Sequence, residues 1–380
     1  MKASVGVASA TLFDDGPGWA PSGTTVTITV YARGNWVQPV SLVVSSSNGG
    51  TFSKTLLTIP AGANGQDTFT FTAPVNTIVT LSYSSLSAGV SPPPPRRIYS
   101  LTDPVAYAAT SVSDAAMALI AKYNACKWEM ADGYTDYLQG APAAAGQPVR
   151  AISDSGYGSS VGNAMEMLNW VNNDSATMGT MVPPVMRVVN GRKNADFTGP
   201  DTWGFWCKKT IPVAQIQPNP RNRVPYNIAD PHFAIAAVSV PGLDNGGIVF
   251  QASQPADWYA SELRLAHSQP QVHILDRMGV SVTLTSPTRL AANTPAVLTL
   301  TCVPGAQRLR VNSAVVASAA ASFTSSEFEQ LLIGWGFQQY YPRDGFAGNI
   351  YSVVTGKGAP TPQELAVLEK YLGATAGVAL

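Results

Sequence analysis

The sequence predicts an all-β fold in two parts: a β-sandwich over residues 1–90, and a larger antiparallel β domain over residues 99–380 that ends in a short helix. Three observations carry this prediction. Polar and apolar residues alternate with a period of two in segment after segment, the mark of strands with one buried face. Clusters of Asn, Asp, Gly and Pro separate those segments at regular spacing. The single strongly helical pattern, near the C-terminus, carries a full set of capping residues.

The elements follow in order. Residues 24–31 alternate cleanly, and residues 40–45 form the next strand before the turn Asn48-Gly49-Gly50. Residues 56–59 and 68–72 continue the pattern and residues 78–83 close it, which together argue for a sandwich. The run Ser91-Pro92-Pro93-Pro94-Pro95-Arg96-Arg97 lacks the N–H donors that a ladder or helix needs. Residues 91–98 are therefore expected to be a stiff extended spacer between the two domains. Beyond it, residues 112–122 read as a short helix that Ser113 or Asp114 can cap, with Lys122 in its last turn. Strands resume at 234–240, 247–251, 279–285, 296–302, 308–311 and 331–334. In the closing helix, Thr361 is the N-cap, Pro362 takes the first helical position and Glu364 completes a capping box. Gly373 is expected to end it in the left-handed conformation.

Composition narrows the function classes. Hydrophobic residues make up 45% of the 380, enough for a sizeable core and too many for a disordered chain. Charged residues are only 12%, about half the usual ~25%, and 23 basic residues balance 23 acidic ones. Such a chain has no long-range electrostatic attraction for nucleic acid or for an anionic membrane. No apolar run reaches the ~18 residues of a transmembrane helix, so membrane insertion is not expected. The first residues lack the apolar stretch of a secretory signal. Cys126, Cys207 and Cys302 stand far apart with no zinc spacing and are read as three buried thiols.

Enzyme chemistry finds little support. Glycoside hydrolysis needs two carboxylates about 5–9.5 Å apart; Glu327-Phe328-Glu329 is the nearest pattern, and it runs into Gln330-Leu331 without a third acid. Gly158-Ser159-Ser160-Val161-Gly162 satisfies G-x-S-x-G but lacks the strand-to-helix context of a nucleophile elbow. His232 opens an apolar strand, and His267 and His273 have no third ligand nearby. Calcium could be offered oxygens at Asp132 and Asp136, or at Asp244 and Asn245, although turns use the same residues. No cofactor is expected, and the protein is read as a non-enzyme.

Two resemblances add to this. The phrase from Gly50-Thr51-Phe52 through Ile59-Pro60-Ala61-Gly62 to Thr68-Phe69-Thr70-Phe71 resembles the immunoglobulin-like repeats of bacterial surface and phage structural proteins. In the second part, Lys127-Trp128-Glu129, Pro183-Pro184-Val185-Met186-Arg187, Ala195-Asp196-Phe197-Thr198-Gly199 and Phe233-Ala234-Ile235-Ala236-Ala237-Val238 recur in one order. Arg308-Leu309-Arg310-Val311-Asn312, Leu331-Leu332-Ile333-Gly334, the segment 346–354 and the capped helix complete it, with Ser313 standing where Gly is usual. This order resembles the concanavalin-A-like (laminin-G-like) jelly rolls of phage tail and fibre proteins. The resemblance implies an immunoglobulin-like sandwich followed by a concanavalin-A-like jelly roll. It further implies a bacteriophage virion surface protein (fibre, spike or capsid decoration) that contacts host-surface glycans without cutting them. Its partners would be other virion proteins, with homo-oligomers, trimers among them, as the rule. A virion-associated polysaccharide depolymerase and a secreted bacterial adhesin are the alternatives. Export by cell lysis would reconcile an uncharged polar coat with the missing signal.

Sugars are recognised by flat aromatic faces together with forked polar groups. The loop between two strands of the resemblance concentrates both, in Trp335, Phe337, Tyr340, Tyr341, Arg343 and Asp344. These six are the candidate carbohydrate-binding residues. Trp203-Gly204-Phe205-Trp206 and Asp257-Trp258-Tyr259 are similar clusters, and either could equally serve packing or a subunit interface.

Overall fold

The computed structural model describes residues 10–380 except 33–34, 64, 136–140, 157–164, 168–181, 200–201, 203, 209–225, 255–257 and 339–340. It is all-β, with antiparallel sheets and a C-terminal helix, and it divides into two compact units, Met1–Tyr107 and Ala108–Leu380.

The first unit is a β-sandwich. One sheet runs in the order Val90–Ser91, Ala10–Asp15, Thr25–Ala32, Gln66–Thr72, Thr51–Phe52, and the other runs Arg96–Ser100, Thr77–Ser85, Val40–Ser46, Leu56–Ile59. Alternation sorts the side chains: Ile28, Val30, Phe69 and Phe71 are buried with Leu42, Leu57, Val79 and Leu81. Thr25 pairs with Thr72 and Thr29 with Thr68 on the outer face, hydroxyl to hydroxyl at 2.7 and 3.2 Å.

The proline run corrects the expected boundary. Residues 91–98 lie inside the first unit, where Pro92 to Pro95 carry the chain from a strand of one sheet to a strand of the other. Arg96–Ser100 pairs antiparallel with Thr77–Ser85. Prolines cannot donate to a ladder, but they can link two ladders. Arg96 then fastens the returning strand: its guanidinium meets the Asp14 carboxylate at 2.7 and 3.0 Å and the Gly16 carbonyl at 2.8 Å.

The second unit is a two-layer jelly roll. Its eight-stranded sheet runs Val185–Val189, Arg192–Asp196, Asn349–Lys357, His232–Ser239, Ala296–Val303, Ala306–Val311, Ala314–Ala319, with Cys126–Glu129 also paired to Asn349–Lys357. The nine-stranded sheet runs Gly133–Tyr134, Ala151–Ile152, Met165–Met167, Phe205–Lys208, Gln330–Ile333, Gly247–Ser253, Ala260–Ala266, Gln269–Leu275, Ser281–Thr285. Trp128, Phe197, Phe205, Phe250, Leu263, Leu298, Ile333 and Val353 fill the space between the layers.

The C-terminal helix covers the other side of the eight-stranded sheet, and a second helix packs against it. The Val112–Lys122 helix is capped by Ser111, whose side chain accepts the Asp114 N–H, and not by Ser113 or Asp114, which lie two and three residues further on. The Pro362–Ala376 helix has the complete capping box of Thr361 and Glu364. It continues past Gly373 and ends at Gly377, which takes the left-handed conformation. Glu369, fully buried, accepts from Arg310 through both carboxylate oxygens (2.7 and 2.9 Å) and from the Thr299 hydroxyl (2.7 Å).

Candidate functional site

Strand register decides which residues of the nine-stranded sheet face the core. Phe205, Ile333, Phe250, Leu263, Val272 and Leu284 lie side by side across six strands, and all are buried between the layers. One residue along, the adjacent row is Trp206, Leu332, Gln251, Glu262, His273 and Thr283. Successive side chains of a strand point to opposite faces, so this second row lies on the face turned away from the core, and it is largely polar.

Its polar groups are wired together. The Trp206 indole N–H donates to Gln330 Oε1 (2.8 Å), Gln330 Nε2 donates to Ser253 Oγ (2.9 Å), and Ser253 Oγ donates to Gln251 Oε1 (3.0 Å). Gln251 Nε2 then donates to Glu262 Oε1 at 2.8 Å. Each amide presents its oxygen to the donor before it and its N–H to the acceptor after it, so the network has one direction and ends on a carboxylate. All five side chains are buried.

From Glu262 the face opens to solvent. Its Oε2 lies 3.5 Å from His273 Nδ1 and 3.6 Å from Arg264 Nη1, and Arg264 Nη2 lies 3.7 Å from Asp344 Oδ2. Glu262 is wholly buried, whereas the Arg264, His273 and Asp344 side chains are 24%, 26% and 42% exposed. Gln271, half-buried, stands opposite Arg264, and the exposed Thr283 and Thr285 complete the accessible edge. The result is a buried carboxylate with a forked donor and an imidazole 3.5–3.6 Å from it, and a solvent-facing carboxylate beside them. Such a set can exchange hydrogen bonds with neighbouring hydroxyl groups.

The six expected site residues fare differently. Trp335 is a correction: it is 1% exposed, and its indole N–H donates to the Phe205 carbonyl at 3.1 Å. Gly204 makes this possible, because a Cβ there would fall 2.6 Å from Trp335 Cδ1. A ring held in this way has no face to offer a sugar. Phe337, Tyr341 and Arg343 lie on the two strands of a hairpin, Gly336–Gln338 and Tyr341–Arg343, in which Phe337 pairs with Pro342. Tyr340 and the side chains of Phe337, Tyr341 and Arg343 lie outside the described residues. Asp344 does reach a site. The hairpin ends at this residue, in the left-handed region (φ 47°), where its carbonyl accepts the Ile248 N–H at 2.8 Å and its carboxylate faces Arg264.

Of the other candidates, His232 is structural. Its ring nitrogens meet the Asp230 carbonyl (2.8 Å) and Ser261 Oγ (2.9 Å), it stacks on Tyr226, and burial pushes its pKa down to about 4. Cys126 and Cys302 are buried free thiols, and burial pushes Cys302 up to about 12. The Gly158–Gly162 motif, Asp136 and the Cys207 side chain lie outside the described residues. Asp244 is a surface turn residue near Arg289 and His267. Among the described residues no group of three or more His, Cys, Asp and Glu side chains could hold a metal ion. Trp206 and Tyr259 are buried, while Trp258 is 58% exposed.

Glu262, Arg264, Gln251 and Gln271 are absent from the expected set. Their signal was present as polar residues two apart, at 251 and 253, 262 and 264, and 271 and 273, on three strands that are neighbours only once the fold is known.

No protein-family model and no curated protein matches the sequence. Among solved structures, the chain is similar to the Ruminococcus gnavus IT-sialidase CBM40 bound to α2,3-sialyllactose, at 12% identity and a TM-score of 0.33, over 37% of this chain and 83% of that one. It is also similar to domain 4 of AbnA, a GH43 extracellular arabinanase from Geobacillus stearothermophilus, in complex with arabinotriose. There the identity is 14% and the TM-score 0.36, over 50% of this chain and 82% of that one. A third is the heptameric SAP-like pentraxin of Limulus polyphemus, at 9% identity and a TM-score of 0.30, over 36% of this chain and 69% of that one. Scores of this size carry no inference about ligand or ancestry.

Proposed function

We propose that the second unit is a non-catalytic, lectin-like module that binds glycans at the accessible edge of its nine-stranded sheet. One observation carries this reading: Arg264 and His273 stand at the solvent boundary within 3.6 Å of the buried Glu262, next to Asp344. Planar polar groups beside a carboxylate acceptor suit vicinal hydroxyls, which both donate and accept hydrogen bonds. The non-catalytic part rests on the position of Glu262, which is wholly buried beneath a guanidinium and an imidazole and so poorly placed to give or take a substrate proton. The test is a glycan array followed by calorimetry on the full chain. Arg264→Ala is expected to lower affinity for the retained glycan by at least about tenfold, the size of a hydrogen bond to a charged group. Unchanged affinity in this folded variant removes the face as the site, and oligosaccharides released from host polysaccharide would reverse the non-enzyme reading.

The second part of the proposal is location: a bacteriophage virion surface, with the module facing the host. Support comes from the ordered phrases that resemble phage tail and fibre jelly rolls, and from a chain with so few charges. Mass spectrometry of purified particles tests this directly, and the protein's absence from them would favour a secreted adhesin.

A further inference from the structure

The two sheets of the jelly roll end in four edge strands, and three of them are protected against pairing with another chain. Beside Gly133–Tyr134 the chain returns at 141–143, where Thr135 N–H donates to the Ala141 carbonyl (2.9 Å) and Ala143 N–H to the Gly133 carbonyl (2.7 Å). At Val185–Val189, Met186 donates to the Gln147 carbonyl and accepts from Gly146 N–H, both at 2.8 Å, and Arg187 adds a charge. Ala314–Ala319 carries a bulge opposite Leu309 and Arg310, which bends an edge and tightens its twist.

Ser281–Thr285 has none of these devices. It contains no charge and no proline, and it pairs without a bulge to Gln269–Leu275 on one side only. Val282 and Leu284 are buried, while Ser281, Thr283 and Thr285 are exposed. Among the described residues, no backbone partner meets the N–H and C=O groups on its outer side. Such a row is a template for a further strand. Exposed apolar side chains surround it: Met278 and Val280 just ahead of it, and Val315 on Ala314–Ala319, the neighbouring edge of the other layer.

We propose that Ser281–Thr285 is a docking edge for a second copy of this chain, the two strands pairing antiparallel about a twofold axis. Identical antiparallel strands offer each other matching donors and acceptors, as an isologous contact requires. Centred on Thr283, the pairing engages all five residues, with Thr283 opposite itself and Ser281 opposite Thr285. No charge meets its own copy across the axis, and a like pair there would be destabilising. The contact is small: five residues span about 17 Å and the layers lie about 10 Å apart. That footprint falls short of the ~800 Å² per partner of a stable complex, so the dimer is expected at micromolar concentration and not at nanomolar. Pairing also has a consequence that rests on the glycan reading. Thr283 and Thr285 border the accessible face, so the faces of two copies join, with their Arg264 strands five spacings, about 24 Å, apart. A dimer can then hold one polysaccharide chain at two points.

The experiment is sedimentation equilibrium on the full chain, from nanomolar to high micromolar concentration. Wild type is expected to pass from monomer to dimer. Thr283→Lys and Thr283→Glu each set like charges against each other at the axis, and each is expected to weaken the dimer by at least about tenfold. An equimolar mixture of the two variants is expected to dimerise again. Both substitutions lie on an exposed side chain, so thermal melts are expected to match wild type, and either variant alone still tests the edge if the other fails to fold. A wild type that stays monomeric, or forms trimers, overturns the pairing and leaves the glycan reading standing. Dimers that survive both substitutions overturn it, as does a mixture of folded variants that stays monomeric.

Discussion

Asp154 shows how one residue can set a pH response. It is buried, and although the backbone N–H groups of Lys127 and Gly156 donate to it, burial outweighs them and lifts its pKa from 3.8 to about 6. The folded chain therefore holds a proton that the unfolded chain releases, so this residue's contribution to stability is fully present below pH 4 and is lost as pH rises toward 6. Asp154→Asn keeps the amide oxygen as acceptor and removes the titration. Thermal melts are expected to show the variant gaining on wild type between pH 4 and 7, by on the order of 2–3 kcal/mol; a constant difference across that range would refute the assignment. Legibility at this scale is uneven. That Trp335 is core depends on Gly204, distant in sequence, and aromatic residues in a glycine-rich loop read alike whether they face sugar or protein. Asp344 was legible as a polar loop residue, but its partner Arg264 was not, because the pair exists only across strands.

The C-terminal helix is the element most completely written in the sequence. Thr361, Pro362 and Glu364 act locally, and local geometry places all three. The end is subtler, since Gly373 and Gly377 both offer a left-handed stop. Gly373 lies inside the terminal motif instead: its carbonyl accepts the Val378 N–H, while Gly377 donates to Ala374. A Cβ at Gly373 would sit 3.0 Å from the Val378 carbonyl, so its small size serves the chain that folds back over it. What holds the helix to the sheet could not be read locally, because Glu369 finds Arg310 and Thr299 on two separate strands. Glu369→Ala leaves a buried guanidinium uncompensated and is expected to cost about 3–5 kcal/mol, measurable by urea unfolding. Replacing both partners, as Arg310→Met with Glu369→Leu, is expected to recover most of that loss. A double variant as unstable as the single one would show that the clamp does more than neutralise a buried charge.

At the scale of the molecule, each unit has its own core, with no residue common to both. Residues 1–107, expressed alone, are therefore expected to fold with a cooperative thermal transition and dispersed amide resonances; a molten or unfolded fragment would refute independence. The all-β class was legible from alternation, and so were strands such as Thr25–Ala32, Val40–Ser46 and Gln66–Thr72. The strands Ala260–Ala266 and Gln269–Leu275 were not, since the first is rich in the helix formers Glu, Leu, Arg and Ala and the second contains Pro270. Tertiary pairing overrides both signals, and the polar row was lost with them. Asn349–Lys357, later in the chain than every strand it joins, pairs with Cys126–Glu129, Arg192–Asp196 and His232–Ser239. Until it emerges, the nascent sheet has a gap at its middle, and His232–Ser239, destined for burial on both faces, shows an open apolar edge. The sandwich of the first unit can close before the second unit is synthesised, but the jelly roll must wait until residue 357 has been made, and a premature stop codon before residue 349 would release a sticky half-sheet for chaperones and proteases to remove.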